Sequence, residues 1–557
     1  MGTSWYPRTS SNGSAQSSNG GGKTWLWKIQ AVLLSSLTIL SILPVYMWTG
    51  APLVAHAALP SGFHDDLVAN LTGTPMDIAW TPDGRMLIPM RDGRLRVYAN
   101  GALLSTPAID LSSVVCTTGD ESLGGVAVHP NFTLNHYIYL YYTYKKSGTC
   151  NTGSTSAPVN RLSRFILSSN NSINPASQST LLDTSPLPYH DHMGDDLQFG
   201  SDHYLYLAIG EGGSACCSST PQAPRDPGVL LGKIVRLTDT GGIPPSNPFL
   251  GPDSARCNLN GVPPTGSPTG TRCQEVFAMG LRNPFRGAFD PNTLSARYFI
   301  NDVGNVTWEE VNLVAAGADY GWPTREGPCS ATNPLTDCGP PPLGITNPSF
   351  WYGHNVTSNG LGCAAITAGT FVPNGLWPGF DNSYLYADWV CGGIWQLTNN
   401  GGGGFTSTMF ATVAPSGIIS MRFGPYNNTL ALYYVFGNYG TKGQLRRISL
   451  TGSADLKQVV ASFRLDWADN DNNGNVTITD VASVALVFDS SNSYWDLNLN
   501  GKVDISDVAT VAIRFDSGFL SSPFPGQGLS PGTMDASWKN ECALLPPPER
   551  TYCFNQL

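Results

Sequence analysis

The sequence predicts an all-β fold, a six-bladed β-propeller, followed by a small α-helical calcium-binding domain. Three observations point there. Gly (61) and Pro (42) are abundant among 557 residues, while charged residues make up only 13%. That composition suits many short strands and tight turns rather than long helices. A strand–turn–strand unit recurs six times between Pro75 and Leu450. After it, two Asp/Asn-rich loops repeat at an offset of 27 residues, each followed by a near-copy of one short apolar segment.

Taken in order, residues 1–57 are a leader. The first 22 are rich in Ser, Gly and Asn, a composition that does not fold. Lys23 and Lys28 then stand beside an uncharged apolar run, Ile29 to Trp48, and "AHA" at Ala55–Ala57 offers a small-x-small cleavage site. The run is about as long as a membrane span, so a signal peptide and an uncleaved anchor both fit. Either places the rest of the chain outside the cytoplasm. Twelve cysteines agree, since their number is even and none forms a zinc-like CxxC pair. Proximity in sequence suggests Cys116–Cys150, Cys257–Cys273, Cys329–Cys338, Cys363–Cys391 and Cys542–Cys553, with Cys216–Cys217 as a vicinal pair. A net charge of −10 and no basic patch exclude a nucleic-acid partner.

Residues 58–455 hold the blades. Each copy reads as an apolar strand, a "PDG"-like turn, a second apolar strand, a polar turn and a third strand. The first is "MDIAWTPDGRMLIPMRDGRLRVY" and the second "LGGVAVHPNFTLNHYIYLYYTY". The third is "DDLQFGSDHYLYLAIG" with "GKIVRLT", and the fourth "NPFRGAFDPNTLSARYFINDVG" with "EEVNLV". The fifth begins "TAGTFVPNGLWPGF", and the sixth is "ISMRFGPYNNTLALYYVFGN" with "GQLRRISL". A single sheet of this size cannot bury both faces, and radial stacking solves that. Stacking also brings loops distant in sequence to one mouth of a central channel.

Residues 456–517 change period. "DNDNNGNVTITD" (469–480) and "DLNLNGKVDISD" (496–507) place oxygen side chains at loop positions 1, 3, 5, 9 and 12 and a Gly at position 6. That is the pattern of a calcium loop, with hard oxygen ligands at alternate positions and a Gly for the sharp turn. The expected ligands are Asp469, Asp471, Asn473, Asn475, Thr477 and Asp480, then Asp496, Asn498, Asn500, Lys502, Asp504 and Asp507, with Asn475 and Lys502 at position 7 offering backbone carbonyls. Asx-rich turns alone would not produce two matching ligand sets with matching helices. Over Asp466 to Ser517 the sequence resembles a type I dockerin, which implies calcium-dependent folding and a cohesin-like protein partner. Residues 518–557 are rich in Pro, Ser and Gly and carry no motif.

Three clusters carry the propeller's chemistry: "PYHDHMGDDL" entering blade three, "MGLRNPFRGAF" entering blade four, and "NDVGNVTWEEVNLVAAGADYGWP" within and after blade four. A histidine there can serve as general base, an arginine can hold a carbonyl or anionic oxygen, and carboxylates with backbone carbonyls can hold calcium. Occurring in this order with "GKIVRLT", the motifs make Phe63–Leu450 resemble the soluble glucose/sorbosone dehydrogenases, quinoproteins that use pyrroloquinoline quinone (PQQ) and calcium. The resemblance implies oxidation of an aldose at C1 with hydride transfer to the quinone. By motif, His192 matches the catalytic base, with Asp191 or Asp195 to orient it. Arg282 and Asn283 match the pair at the quinone's reactive edge, and Asp120 or Glu121 stands near the cofactor. Gly304 and Asn305 match a calcium-ligating backbone segment, and Glu310 with the Tyr320 carbonyl matches a family calcium site. Basic residues to grip the cofactor's carboxylates are not evident in blades five and six, where only Arg422 stands nearby. The same blades occur in hedgehog-interacting-protein-like molecules, so an extracellular binding propeller or a cell-surface component is the other class of function.

Overall fold

The computed structural model describes residues 59–451, apart from 218–220, 294, 355–361, 403, 414–415, 428 and 438–441, and apart from the side chains of Cys216 and Cys217. The leader, the calcium loops, the C-terminal tail and the Cys542–Cys553 pair therefore lie outside the described residues. None of the described helices is long and apolar enough to cross a membrane.

Six antiparallel sheets of four or five strands form the blades, in the order the repeats predict. The innermost strands of blades two to six are Leu123–Val128, Gly194–Phe199, Pro284–Phe289, Ile366–Phe371 and Ile418–Tyr426. Alternation along them sends one set of side chains into each inter-blade interface. Those interfaces are the core. Val126 of blade two packs in one cluster with Leu140 and Tyr142, and further round Trp377 is fully buried against Phe63, Phe380, Phe410 and Phe423. Blade three takes its outer strand from Val276–Met279, whose last residue, Met279, opens the motif that the sequence places at the entry to blade four.

Blade six closes the ring. Its outer strand is Phe63–Leu71, which pairs antiparallel with Gly443–Leu450 from Phe63↔Leu450 to Leu71↔Gly443. The repeat pattern does not announce this strand, because its partner lies almost 400 residues away. The four disulfides expected within the described residues all form: Cys116–Cys150, Cys257–Cys273, Cys329–Cys338 and Cys363–Cys391.

Around the channel, side chains cross from blade to blade. Arg286 is wholly buried and donates to the carbonyls of Met76 and Gly124, at 2.7 Å each. Arg422 donates to Asp196 Oδ1 at 2.7 Å, and Ser420 to Asp77 Oδ1 at 2.7 Å. Asn301 donates to the carbonyls of Thr367 and Ala368. Such charge-assisted bonds in a water-poor setting fix the stagger of neighbouring blades.

Candidate active site

The first residues of the inner strands and the loops that leave the second strands meet at one face. Register sets this, since Gly194 pairs with Ile209, Pro284 with Asp302, Ile366 with Asp388 and Ile418 with Phe436. His192, Arg282, the 303–307 loop and Asp120 all lie at that end.

His192 stands two residues before its strand, in the left-handed region at φ 62. A non-glycine residue there is held by its surroundings. Its N–H donates to Asp120 Oδ2 at 3.0 Å and its carbonyl accepts from Gly212 N at 3.0 Å. Any Cβ at Gly210 would run into that same carbonyl, so the residue that follows the second strand has to be glycine. The His192 ring places Nδ1 2.9 Å from Glu211 Oε1. Glu211 is almost fully buried, and its Oε2 accepts from Ser214 Oγ at 2.8 Å and Ala215 N at 2.5 Å. Burial by itself lifts the Glu211 carboxyl, but the hydrogen bond and charge of His192, the Ala215 N–H and the Arg282 charge outweigh it and hold it below its ordinary value. An ionised Glu211 keeps the proton on Nδ1 and leaves Nε2 as an acceptor.

The orienting carboxylate is thus Glu211, from the "GEGG" that ends the second strand, and not one of the two aspartates beside His192. Asp191 is half-buried next to Asp120; burial and the Asp120 charge raise its pKa. Asp195 points away into the channel wall. It is fully buried, Oδ2 has no partner, and burial pushes its pKa to about 7 against the pull of Arg286. Glu121 is wholly buried, receiving Thr118 N and pairing with His190 Nδ1 at 2.9 Å, which gives His190 a bracing role.

Arg282 and Asn283 are joined to blade four's loop. Both backbone N–H groups donate to Asp302, at 3.0 and 2.6 Å, and Arg282 Nη1 donates to the Val303 carbonyl at 2.9 Å. The Arg282 guanidinium lies 5.6 Å from the Trp322 ring centroid, and the Glu211 N–H donates to the Arg282 carbonyl. Asn283 Oδ1 accepts from Gly194 N at 3.1 Å, tying the arginine loop to the histidine loop.

Four carboxylates surround the 304–308 loop. Glu309 accepts from Gly304 N and Ile366 N, and pairs with His354. Glu310 accepts from Gly327 N and Asn312 Nδ2, and burial with the Asp302 charge pushes its pKa to about 8. Asp302 is pushed to about 7, chiefly by burial. Glu326, from "TREGP", belongs to none of the three sequence clusters; Oε1 is fully engaged while Oε2 is buried without a partner. The carbonyls of Gly304, Asn305 and Tyr320 accept no hydrogen bond from the described residues. Unengaged carbonyls beside several buried carboxylates suit a hard divalent cation such as calcium. Elsewhere among the described residues, Cys257–Cys273 with Glu275 and Cys363–Cys391 with Asp388 cluster tightly, but the sulfurs are in disulfides and are not free ligands.

Arg422 does not reach this mouth: its guanidinium is committed to Asp196 and the Gly287 carbonyl inside the channel. The basic side chains that do stand at this face include Arg91, after blade one's second strand, and the exposed Lys442, before Gly443. Their signal in the sequence is position, one or two residues outside a blade strand, and only the fold makes it readable.

These features define a propeller whose channel mouth carries a carboxylate-oriented histidine, an arginine and a loop of unengaged backbone carbonyls beside buried carboxylates. The glucose/sorbosone dehydrogenase family model matches residues 72–403, and the chain belongs to that family. It is 29% identical over 424 residues to the HIPL2 protein of Arabidopsis thaliana, covering 65% of this chain and 56% of that one. It is 26% identical over 314 residues to quinoprotein glucose dehydrogenase B of Acinetobacter calcoaceticus, covering 54% and 59%. In fold it resembles the crystal structure of the soluble aldose sugar dehydrogenase of Escherichia coli in its apo form, with TM-score 0.55, 24% identity, and 70% and 99% coverage. The chain spans between half and two thirds of the length of three of the curated relatives it matches.

Proposed function

We propose that the chain is an exported quinoprotein dehydrogenase that oxidises an aldose at C1, using PQQ and calcium, with a dockerin-like module as its tether to a cohesin-like partner. The observation that carries this reading is the His192–Glu211 pair set in one mouth with Arg282 and the unengaged carbonyls of Gly304 and Asn305. Bound there, the quinone supplies the acceptor for hydride. His192 Nε2 takes the proton of the sugar's anomeric hydroxyl, and Glu211 stabilises the imidazolium that forms. Arg282 and Asn283 would hold the reactive carbonyl edge, and the carbonyls of Gly304 and Asn305 the calcium beside it, with Glu310 and the Tyr320 carbonyl as a further calcium position. Lys442 is the candidate for the cofactor's carboxylates, while the Arg91 guanidinium already donates to the carbonyls of Thr117 and Gly119. Asp120 positions the His192 backbone. Four disulfides support an extracellular location.

Adding PQQ and calcium to the purified full-length apo-protein should give quinone binding and dye reduction with some member of an aldose panel. His192→Ala should lower that rate by about 10²–10⁴ with quinone binding retained. Absence of binding at micromolar PQQ removes the dehydrogenase reading. One observation favours a non-catalytic binding propeller instead, namely that Arg422 of blade six is spent inside the channel; that reading predicts no quinone uptake at all.

A further inference from the structure

Glu326 lies in the two-residue strand Arg325–Glu326, paired with Cys329–Ser330 under the Cys329–Cys338 disulfide. Its side chain is buried beneath the 304–308 loop, and the residue is 2% exposed. Oε1 accepts from four consecutive backbone N–H groups, those of Asn305 at 2.9 Å, Val306 at 2.8 Å, Thr307 at 2.8 Å and Trp308 at 3.1 Å. Successive amides converging on one point form a nest, a concavity suited to an anion, and here the chain fills its own nest. When the N–H groups of 305–308 turn inward to one oxygen, the carbonyls of the same peptides are directed away from it. Those of Gly304, Asn305 and Val306 accept no hydrogen bond from the described residues. The turn is tight enough that any Cβ at Gly304 would strike the Trp308 carbonyl. The second oxygen of Glu326, Oε2, is buried with no partner. A buried carboxylate left half-satisfied is costly unless positive charge lies close by.

We propose that Glu326 is a positioning residue for cation binding at the channel mouth: by gathering the 305–308 amides it presents the Gly304–Val306 carbonyls as ligands, and its charge balances the cation they hold. This rests on the calcium part of the function proposed above, and not on the quinone.

The test is amide hydrogen exchange on the full-length protein, read in peptides covering 304–308 so that calcium uptake by the C-terminal loops does not enter. Glu326→Ala removes the acceptor and the charge; Glu326→Gln keeps an acceptor oxygen and the shape while removing the charge. Without calcium, amides 305–308 should exchange at least tenfold faster in Glu326→Ala than in the wild type. Strand Gly194–Phe199 should stay unchanged. Calcium should slow exchange at this loop in the wild type, and Glu326→Gln should need at least tenfold more calcium for the same protection. Unchanged exchange in Glu326→Ala overturns the proposal, as does a wild-type calcium midpoint in Glu326→Gln. If Glu326→Ala does not fold, the Glu326→Gln midpoint decides. A wild-type loop indifferent to calcium also overturns it. A wild-type loop that responds to calcium in a protein that takes up no PQQ defeats the dehydrogenase reading and leaves this one standing.

Discussion

Glu211→Gln is the sharpest probe of the catalytic arrangement, because it changes one charge and almost no volume. Glu211 Oε1 faces His192 Nδ1 at 2.9 Å, while Oε2 accepts two donors, Ser214 Oγ and Ala215 N. Glutamine has one acceptor oxygen and one NH₂. The oxygen belongs where two donors wait, at the Oε2 position, which turns the NH₂ toward His192. A donor facing Nδ1 demands the other tautomer, with the proton on Nε2, and that nitrogen then cannot take the substrate's proton. A charge-assisted hydrogen bond of this kind contributes about 1.5–3 kcal/mol, so kcat should fall by about 10- to 150-fold. The acid limb of the profile follows from the sign of the shift. The folded pKa of Glu211 lies below the ordinary 4.5, so its contribution is present above that value and is lost as pH falls through the folded pKa. The assay is dye reduction by the PQQ- and calcium-loaded protein over pH 3–9, with quinone binding and thermal melting measured alongside. A variant with intact binding, kcat within twofold of the wild type and the same pH profile would refute the claim that Glu211 sets the tautomer of His192.

Three further outcomes are expected. Asp195 has a folded pKa of about 7 against an ordinary 3.8, so its contribution is full below 3.8 and is lost as pH rises through 7; Asp195→Asn should match the wild type in urea unfolding at pH 4 and exceed it by up to about 4 kcal/mol at pH 8, and a pH-independent difference would contradict this. Lys233 is fully buried and its Nζ donates to the carbonyls of Ala223, Pro224 and Leu231 at 2.7–2.8 Å; Lys233→Met leaves the Leu231 carbonyl without a donor, while Asp226 N and Gly280 N still serve the other two, and should lower stability by about 1–3 kcal/mol in denaturant titration. Calcium chelation should expose residues 456–517 to protease while the propeller stays resistant, and an unchanged digestion pattern would count against the dockerin-like module.

Much of this was legible in the chain. Blade periodicity is local, since each hairpin carries its own turn and alternating strands, so the six-fold count needed no tertiary information. The motifs around His192, Arg282 and Gly304 were legible too, because each is a contiguous stretch whose residue types already state a chemistry. What the sequence hid were relationships between stretches. Asp191 and Asp195 are neighbours of His192 in sequence, yet the left-handed turn at His192 and the strand that follows carry Asp195 into the channel wall, while Glu211, 19 residues on, swings back beneath the imidazole. Glu326 shows the same thing, for nothing in "TREGP" tells of the four amides it collects from another loop.

The sequence by itself determined the class of fold, the disulfide partners within the described residues and the stretches that form the mouth, because hydrophobic alternation, turn chemistry and short cysteine spacings act over a few tens of residues. Tertiary structure alone decided that Phe63–Leu71 closes the ring, that Arg422 serves the channel rather than the mouth, and that Glu211 and Glu326 stand behind the histidine and the carbonyl loop. Those choices depend on which strand ends converge when six sheets close on themselves, and the pull of a buried charge on its partner is set by distance in space rather than by separation along the chain.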